Sequence, residues 1–96
     1  MQDFYVYILK CNDGSYYIGH TDNIELRISQ HRLGNVSGYT SKRLPVEVVY
    51  VHPTSSRDLA LSLEHQIKKW SRKKKEALIA ENWPQLIQLS KKIFQV

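Results

Sequence analysis

Four side chains in the first third of the chain have types and spacing that could serve a chemical site. Tyr5-Val6-Tyr7 and Tyr17-Ile18-Gly19 are aromatic-rich runs ten residues apart, so two phenolic hydroxyls could face one site. Arg27 and His31 are four residues apart and would project together from a helix. Arginine offers a planar charged fork to a phosphate, and histidine can hold a phosphate or assist proton transfer.

The two aromatic runs predict a β-hairpin. Phe4 to Cys11 is rich in aromatic and β-branched residues and lacks helical spacing, which is typical of a strand. Asn12-Asp13-Gly14-Ser15 favours a turn, and Tyr16 to Gly19 follows as a second strand. Because side chains alternate along a strand, the register decides whether Tyr7 and Tyr17 share a face, and the sequence leaves that register open.

A helix after the hairpin should carry the arginine and the histidine. Asp22 can cap its first turn, with Glu25 three residues on, and we expect it to end near Leu33, before Gly34-Asn35. Gly34 to Arg43 is a polar, glycine-containing connection. We expect it to form a loop that could touch substrate.

The next segment predicts a third strand and a long helix. Pro45 to Val51 has the strongest strand pattern in the chain, with its proline at the start, and should pair with the hairpin. A helix is expected from about Ser56 to Trp70, and Glu64 lies beside its apolar stripe. The residues of that stripe are Leu59, Leu63, Ile67 and Trp70.

Two further helices complete the predicted fold. Ser71 can cap a short helix through Ala80, and Asn82 can cap a terminal helix over about 83–95, with Trp83 expected in the core. The order β-β-α-β-α-α-α predicts an α+β fold, in which helices flank a small three-stranded antiparallel sheet. We expect one domain over 1–96, with its motif-bearing core at 4–82.

Composition narrows the class of protein. A chain of 96 residues with 42% hydrophobic and 24% charged residues has room for one small domain and should fold alone. Its one cysteine, Cys11, excludes an intramolecular disulfide and a cysteine-based zinc site, and we expect it to be buried. With no bilayer-spanning apolar run and no signal peptide, a soluble cytoplasmic protein is expected.

The positive charge is concentrated in the second half of the chain. Residues 1–48 hold five Lys/Arg and five Asp/Glu, whereas residues 49–96 hold nine and four. This asymmetry suits a polyanion, although the run Lys68 to Lys75 would by default be a solvated face. The candidate phosphate-binding residues are Lys42, Arg43, Lys68, Lys69, Arg72, Lys73, Lys74 and Lys75.

The ordered set of the two tyrosine triplets, Arg27, His31 and Glu64 resembles the GIY-YIG nuclease domain over roughly residues 4–82, and in particular its small stand-alone bacterial members of the UPF0213 type. The resemblance implies cleavage of DNA phosphodiester bonds, in repair or processing, with one divalent metal ion, Mg²⁺ or Mn²⁺. It implies catalytic roles for Tyr7, Tyr17, Arg27 and His31, and a metal-ligand role for Glu64.

Four further residues are expected to support that site. Tyr5 replaces the first glycine of the family triplet, Gly19 ends the second triplet, and His20 follows where the family often has lysine. Asn82 corresponds loosely to a later asparagine that helps to fix the site. Because no DNA-targeting domain is attached, we expect substrate selection to lie within these residues or on a protein partner.

The chemistry of the groups agrees with this resemblance. Phosphodiester hydrolysis needs an activated water and stabilisation of negative charge on the phosphoryl oxygens. A phenol has an unperturbed pKa of about 10, but a nearby metal and cation would favour its phenolate and make Tyr7 a candidate general base. Tyr17 could orient the water or the scissile group.

Two other functions fit the same residues. The chain could be a nucleic-acid-binding module that keeps the fold without turnover, or a protein-interaction module that uses the exposed edge of a small sheet. Tyr7 and Tyr17 would then be ordinary sheet tyrosines. Glu64 would merely pair with Lys68 at i,i+4, and its replacement would be nearly silent.

Overall fold

The computed structural model describes residues 3–36 and 38–94, with side chains described as far as residue 90. The predicted α+β fold, with its three-stranded antiparallel sheet, is confirmed. Position 95, the expected end of the last helix, lies outside the described residues. The elements are β1 (Phe4–Lys10), β2 (Tyr16–Thr21), α1 (Ile24–Arg32), α2 (Gly38–Ser41), β3 (Glu47–Thr54), α3 (Arg57–Lys68), α4 (Arg72–Ile79) and α5 (Trp83–Phe94). The short α2 lies within the segment that was predicted to be a loop.

The hairpin register answers the question that the sequence left open. The strand order is β2-β1-β3, and β1 pairs with β2 so that Tyr7 lies opposite Gly19 and Leu9 lies opposite Tyr17. Tyr7 and Leu9 point to one face of β1, so their partners Gly19 and Tyr17 belong to that face as well. Tyr7 and Tyr17 therefore lie on the same side of the sheet.

Each face of the sheet is covered by different helices. On one face, Val6, Ile8 and Ile18 pack against residues of α3 and α4 in the larger core cluster. On the other face, Tyr7 and Leu9 pack with Cys11, Val46 and Ile28 of α1. Cys11 is buried as predicted. Both clusters are built on β1, the central strand of the sheet.

The third strand differs from its predicted range. It begins at Glu47, two residues after Pro45, and continues beyond Val51 to Thr54. Pro53 lies within it, opposite Tyr5 of β1. A proline is tolerated there because β3 is an edge strand, and an edge strand does not need every N–H for pairing.

Helix starts follow the predicted capping residues with one correction. The predicted cap Asp22 is wrong: the side chain of Asn23 accepts the N–H of Leu26 at 3.1 Å and caps α1. One residue of difference decides which side chain can turn back toward the free amides. The predicted caps of the last three helices, Ser56, Ser71 and Asn82, accept the amides of Leu59, Lys74 and Gln85.

The buried stripe of α3 is rotated from its predicted position. Ala60 and Ile67 are fully buried and Glu64 is 7% exposed, whereas Leu59, predicted to be buried, is 55% exposed. Small Ala60 faces the sheet, so the stripe runs through positions 60, 64 and 67 and leaves Leu59 outside it. The rotation brings Glu64 into the interface between helix and sheet.

The predicted core position of Trp83 is also wrong, because its side chain is 48% exposed. It stands at the start of α5, a helix that packs against α4, and part of its surface closes a small apolar cavity beside Tyr50 and Trp70. In the described part of the chain, the helices all lack the combination of length and apolar character that spanning a membrane requires.

Candidate functional site

A buried chain of hydrogen bonds joins β1, α1 and α2. The hydroxyl of Tyr7 lies 2.8 Å from Nε2 of His31, and Nδ1 of His31 lies 3.0 Å from the hydroxyl of Thr40. All three side chains are buried, His31 completely so. In the tautomer that is protonated on Nδ1, Tyr7 donates to Nε2 and His31 donates to Thr40. The predicted residues Tyr7 and His31 are thus in direct contact, and Thr40 is a partner that the sequence did not indicate.

Gly19 allows the ring of Tyr7 to reach His31. A Cβ at position 19 would lie 2.5 Å from the hydroxyl oxygen of Tyr7 and 2.6 Å from its Cζ. These distances are shorter than van der Waals contact, so the ring crosses β2 through space that a side chain would fill. The supporting role predicted for Gly19 has a steric reason here, namely the absence of a Cβ.

Tyr17 extends this group of rings toward solvent. Its ring centroid is 5.1 Å from that of His31 in an edge-to-face arrangement and 6.4 Å from that of Tyr7. On the outer side it stacks with Tyr39 of α2, at 6.3 Å between centroids. Such separations are within the range of attractive aromatic contacts. Tyr17 is half-buried and connects the buried hydrogen-bond chain to the surface.

The surroundings keep Tyr7 and His31 neutral. Burial raises the pKa of Tyr7 well above its usual value; Tyr17 and Glu64 also raise it, and Arg27 opposes them. Burial and the charge of Arg27 lower the pKa of His31. At neutral pH the pair is a phenol and an uncharged imidazole. The phenolate predicted for a general base at Tyr7 is therefore opposed by burial in the protein itself.

Glu64 lies on the opposite face of the sheet, against the same edge strand. One carboxylate oxygen is 2.8 Å from Nδ1 of His20 on β2, and the other is 3.1 Å from Nζ of Lys68. Burial raises the pKa of Glu64, but the hydrogen bonds from His20 and Lys68 outweigh it, and the pKa is lowered overall. The pairing with Lys68 that the sequence suggested as an alternative is present. The contact with His20 accompanies it.

Arg27 opens onto a cleft at this edge. The cleft has a volume of about 210 Å³ and is lined by Phe4, His20, Thr21, Asp22, Arg27 and Arg57. It therefore joins the histidine that holds Glu64 to the arginine that acts electrostatically on Tyr7 and His31. The predicted site residues are divided between the two faces of the sheet at β2, with Tyr7, Tyr17 and His31 on one face and Glu64 on the other. Arg57 adds to the cleft a second guanidinium that the sequence did not single out.

Glu64, which is hydrogen-bonded to the cleft residue His20, is the donor on which a hydrated divalent cation would bind. In the part of the chain that the structure describes, His, Cys, Asp and Glu form no cluster of three or more that could hold a metal ion. Mg²⁺ often binds through one or two carboxylates and keeps several waters. Glu64 is an ionised hard-oxygen donor, and the side chain of its partner Lys68 is half exposed. The donor set fits a metal held by one carboxylate and does not fit a full protein cage.

Two predicted supporting residues lie outside these contacts. Tyr5 is half-buried on β1, opposite Thr21 of β2. The side-chain hydrogen bonds of Asn82 within the described residues go to Gln85, where it caps α5. Their structural positions are consequently those of a sheet residue and a helix cap.

The basic run is not a uniform solvated face. Lys74 is 6% exposed, and its ammonium lies 4.3 Å from the ring centroid of Trp70. Lys69 and Lys73 are exposed, and Arg72 pairs with Glu76. The prediction of a solvated face is therefore wrong for Lys74, because α4 turns this side chain toward the α3–α4 junction. Lys42 is exposed, and Arg43 pairs with Asp13 at 2.9 Å.

Comparison with known proteins agrees with the fold and the motif residues. Residues 3–77 match the sequence model of the GIY-YIG catalytic domain, which is well over half of the chain. The chain therefore belongs to the GIY-YIG catalytic domain family. Similar proteins include UPF0213 proteins from Natronomonas pharaonis (44% identical, 82% of this chain and 93% of the relative) and from Bacillus licheniformis (46% identical, 80% and 79%).

Two solution NMR structures are similar to this one. The UPF0213 protein from Bacillus halodurans is 40% identical, with a TM-score of 0.54 over 81% of this chain and 83% of that chain. A protein from E. faecalis is 34% identical, with a TM-score of 0.58 over 84% and 86%. The predicted resemblance is confirmed, and α5 lies beyond the residues that the family model matches.

Proposed function

We propose that this protein is a metal-dependent endonuclease that hydrolyses DNA phosphodiester bonds, in DNA repair or processing in the cytoplasm. The observation that carries the proposal is the buried Tyr7–His31–Thr40 hydrogen-bond chain, on which Arg27, a residue of the cationic cleft, acts electrostatically. Membership of the GIY-YIG family supports a nuclease-like function.

Arg27 and Arg57 are suited to bind the scissile phosphate. Both line the cleft, and a guanidinium can offer two parallel N–H donors to phosphate oxygens. Phosphodiester hydrolysis adds negative charge to these oxygens as water attacks. An arginine in the cleft would stabilise the added charge of the transition state more than it stabilises the ground state. This difference in stabilisation is what makes the reaction faster.

Tyr7 and His31 are suited to move the proton of the attacking water. Because Tyr7 is a phenol and His31 is a neutral imidazole, the phenol oxygen can take a proton from water while its own proton passes to Nε2 of His31. The imidazolium keeps a hydrogen bond from Nδ1 to Thr40. This relay removes the proton without a free phenolate. The water oxygen bonds to phosphorus as the bond to the leaving oxygen breaks.

Glu64 would hold the divalent cation, Mg²⁺ or Mn²⁺, while His20 holds the carboxylate in place through its hydrogen bond. When bound, the cation would supply Lewis-acid stabilisation of the phosphoryl oxygens. Lys68 occupies the second carboxylate oxygen and would have to turn away to admit it. A lowered pKa at Glu64 keeps the carboxylate ionised at neutral pH, as a metal ligand requires.

The test is cleavage of supercoiled plasmid and branched DNA with Mg²⁺ or Mn²⁺. We expect Glu64→Gln and Arg27→Gln to lower the rate by about 100-fold or more. Two exposed residues of α1 provide matched controls, and Glu25→Gln and Arg32→Gln should cleave at nearly the wild-type rate. If the wild-type protein cuts no faster than Glu64→Gln, the proposed endonuclease function is disproved.

A second candidate function is a nucleic-acid-binding module without turnover. The basic second half of the chain favours it, and Lys69 and Lys73 are exposed for phosphate contacts. This function predicts salt-sensitive DNA binding that Glu64→Gln leaves intact, with no cutting by wild type in either metal. A protein partner would then supply targeting.

A further inference from the structure

A second cleft runs along the outer side of β2. Its volume is about 300 Å³, and it is lined by Tyr16, Tyr17, Ile18, Tyr39, Lys68 and Lys75. Tyr17 also contacts His31, and Lys68 also contacts Glu64. Tyr17 and Lys68 are therefore shared by the candidate site and this cleft, so the two are adjacent.

Two of its three aromatic walls are held in place by guanidinium groups. Cζ of Arg43 lies 3.8 Å from the ring centroid of Tyr39, and Cζ of Arg72 lies 4.5 Å from that of Tyr16. Arg43 is itself fixed, because it donates to Asp13 at 2.9 Å and to the carbonyl of Tyr39 at 3.0 Å. These contacts favour one orientation of the Tyr39 and Tyr16 rings before any ligand arrives, which lowers the entropic cost of binding.

One cation of this cleft is available for an external anion. Lys68, Arg43 and Arg72 each pair with an acidic side chain. Lys75 is half-buried in the cleft and has no acidic partner among residues 3–36 and 38–94. The preceding lysines differ from it, since Lys73 is exposed to solvent and Lys74 is buried against Trp70.

We propose that this cleft binds one nucleotide of the substrate strand, with its base against Tyr39 and Tyr17 and a neighbouring phosphate on Lys75. Aromatic side chains beside cations are the usual means of holding an unstacked base and its backbone. The volume is at the lower end for ligand pockets and suits a single nucleotide. The inference rests on the proposed nuclease function, because the cleft adjoins the site where the strand would be cut.

The experiment measures binding by fluorescence anisotropy in EDTA, so that no strand is cut. A set of short labelled oligonucleotides carries a single abasic nucleotide at each position in turn. We expect one position to lower wild-type affinity by about 5- to 100-fold. Tyr39→Leu should lower affinity for the intact strand similarly and lose sensitivity to that position, whereas Tyr39→Phe should keep it. Circular dichroism confirms that each variant is folded.

The phosphate is tested with single uncharged methylphosphonate linkages. One linkage beside the sensitive nucleotide should weaken wild-type binding, and Lys75→Gln should abolish that dependence. Lys73→Gln, the matched loss of charge in the same helical turn, should reduce overall salt-dependent affinity and remain sensitive to the linkage.

The outcomes separate this proposal from the nuclease. The nucleotide cleft is overturned if no single abasic position changes the affinity, or if Tyr39→Leu remains sensitive to the same position. It is also overturned if Lys75→Gln and Lys73→Gln respond equally to the methylphosphonate linkage. Cleavage is measured separately with Mg²⁺ or Mn²⁺. Position-specific binding without cleavage overturns the nuclease and supports the cleft, whereas cleavage with position-independent binding overturns the cleft alone.

Discussion

Replacing Gly19 by alanine should disturb the centre of the site without touching a reactive group. The added Cβ would lie 2.5 Å from the hydroxyl oxygen of Tyr7, 2.6 Å from Cζ and 3.1 Å from Cε1. The ring is fully buried and cannot swing into solvent, so it has to shift within a packed core. A shift away from position 19 would disturb the 2.8 Å contact between Tyr7 and His31.

Two costs determine the size of the effect. Overfilling a packed core costs about 1–3 kcal/mol. Separating Tyr7 from His31 leaves buried polar groups unpaired, which costs a further 1–3 kcal/mol or so. We therefore expect Gly19→Ala to lower the free energy of unfolding by about 2–6 kcal/mol. For a domain of this size the melting temperature should fall by at least about 8 °C.

Urea denaturation followed by far-UV circular dichroism gives the measurement. Gly38→Ala is the matched control, because a Cβ at Gly38 meets nothing within 4 Å and should be neutral or slightly stabilising. In a Tyr7→Leu background, which removes the clashing atoms, Gly19→Ala should cost less than about 1 kcal/mol. A Gly19→Ala cost that is the same in both backgrounds would refute the steric explanation.

Three further perturbations test the surrounding contacts. Thr40→Val keeps the volume but leaves Nδ1 of His31 unpaired, so unfolding free energy should fall by about 1–3 kcal/mol in urea titrations; an unchanged midpoint would contradict the hydrogen bond. Because burial and the charge of Arg27 hold the folded pKa of His31 below its ordinary value of 6.5, stability should be full above that pH and decline as pH falls below it, and calorimetry should show a smaller decline in His31→Asn. Lys74→Met keeps the side-chain stem against Trp70 and should change stability by less than about 1 kcal/mol, whereas Lys74→Asp should destabilise by more than that in the same assay.

Local sequence patterns predicted the elements of this fold well. The aromatic runs on either side of Asn12-Asp13-Gly14-Ser15 form the expected hairpin, and Ser56, Ser71 and Asn82 cap the helices they were expected to cap. These features depend on a few neighbouring residues, so one sequence is enough to recognise them. The bounds of β3 depend on pairing with β1 and were correspondingly less accurate.

The candidate site depends on contacts between distant residues, which local patterns do not encode. Thr40 meets His31 because a single helical turn forms in the segment that was predicted to be a loop. Glu64 is buried because α3 packs through Ala60, so its stripe is rotated from the one that the larger side chains suggested. The consecutive lysines 73–75 have three different environments, because successive residues of a helix point about 100° apart and only the packing of α4 decides which side each faces.

The hairpin turn and the segment that carries Tyr39 are mechanically connected. The amide of Asn12 donates to the carbonyl of Arg43 at 2.9 Å, and the guanidinium of Arg43 bridges Asp13 to the Tyr39 carbonyl while covering the Tyr39 ring. Opening of the turn would therefore release both the end of β2 and the ring at the mouth of the second cleft. Amide protons at the turn and near Tyr39 should consequently exchange in one cooperative unit.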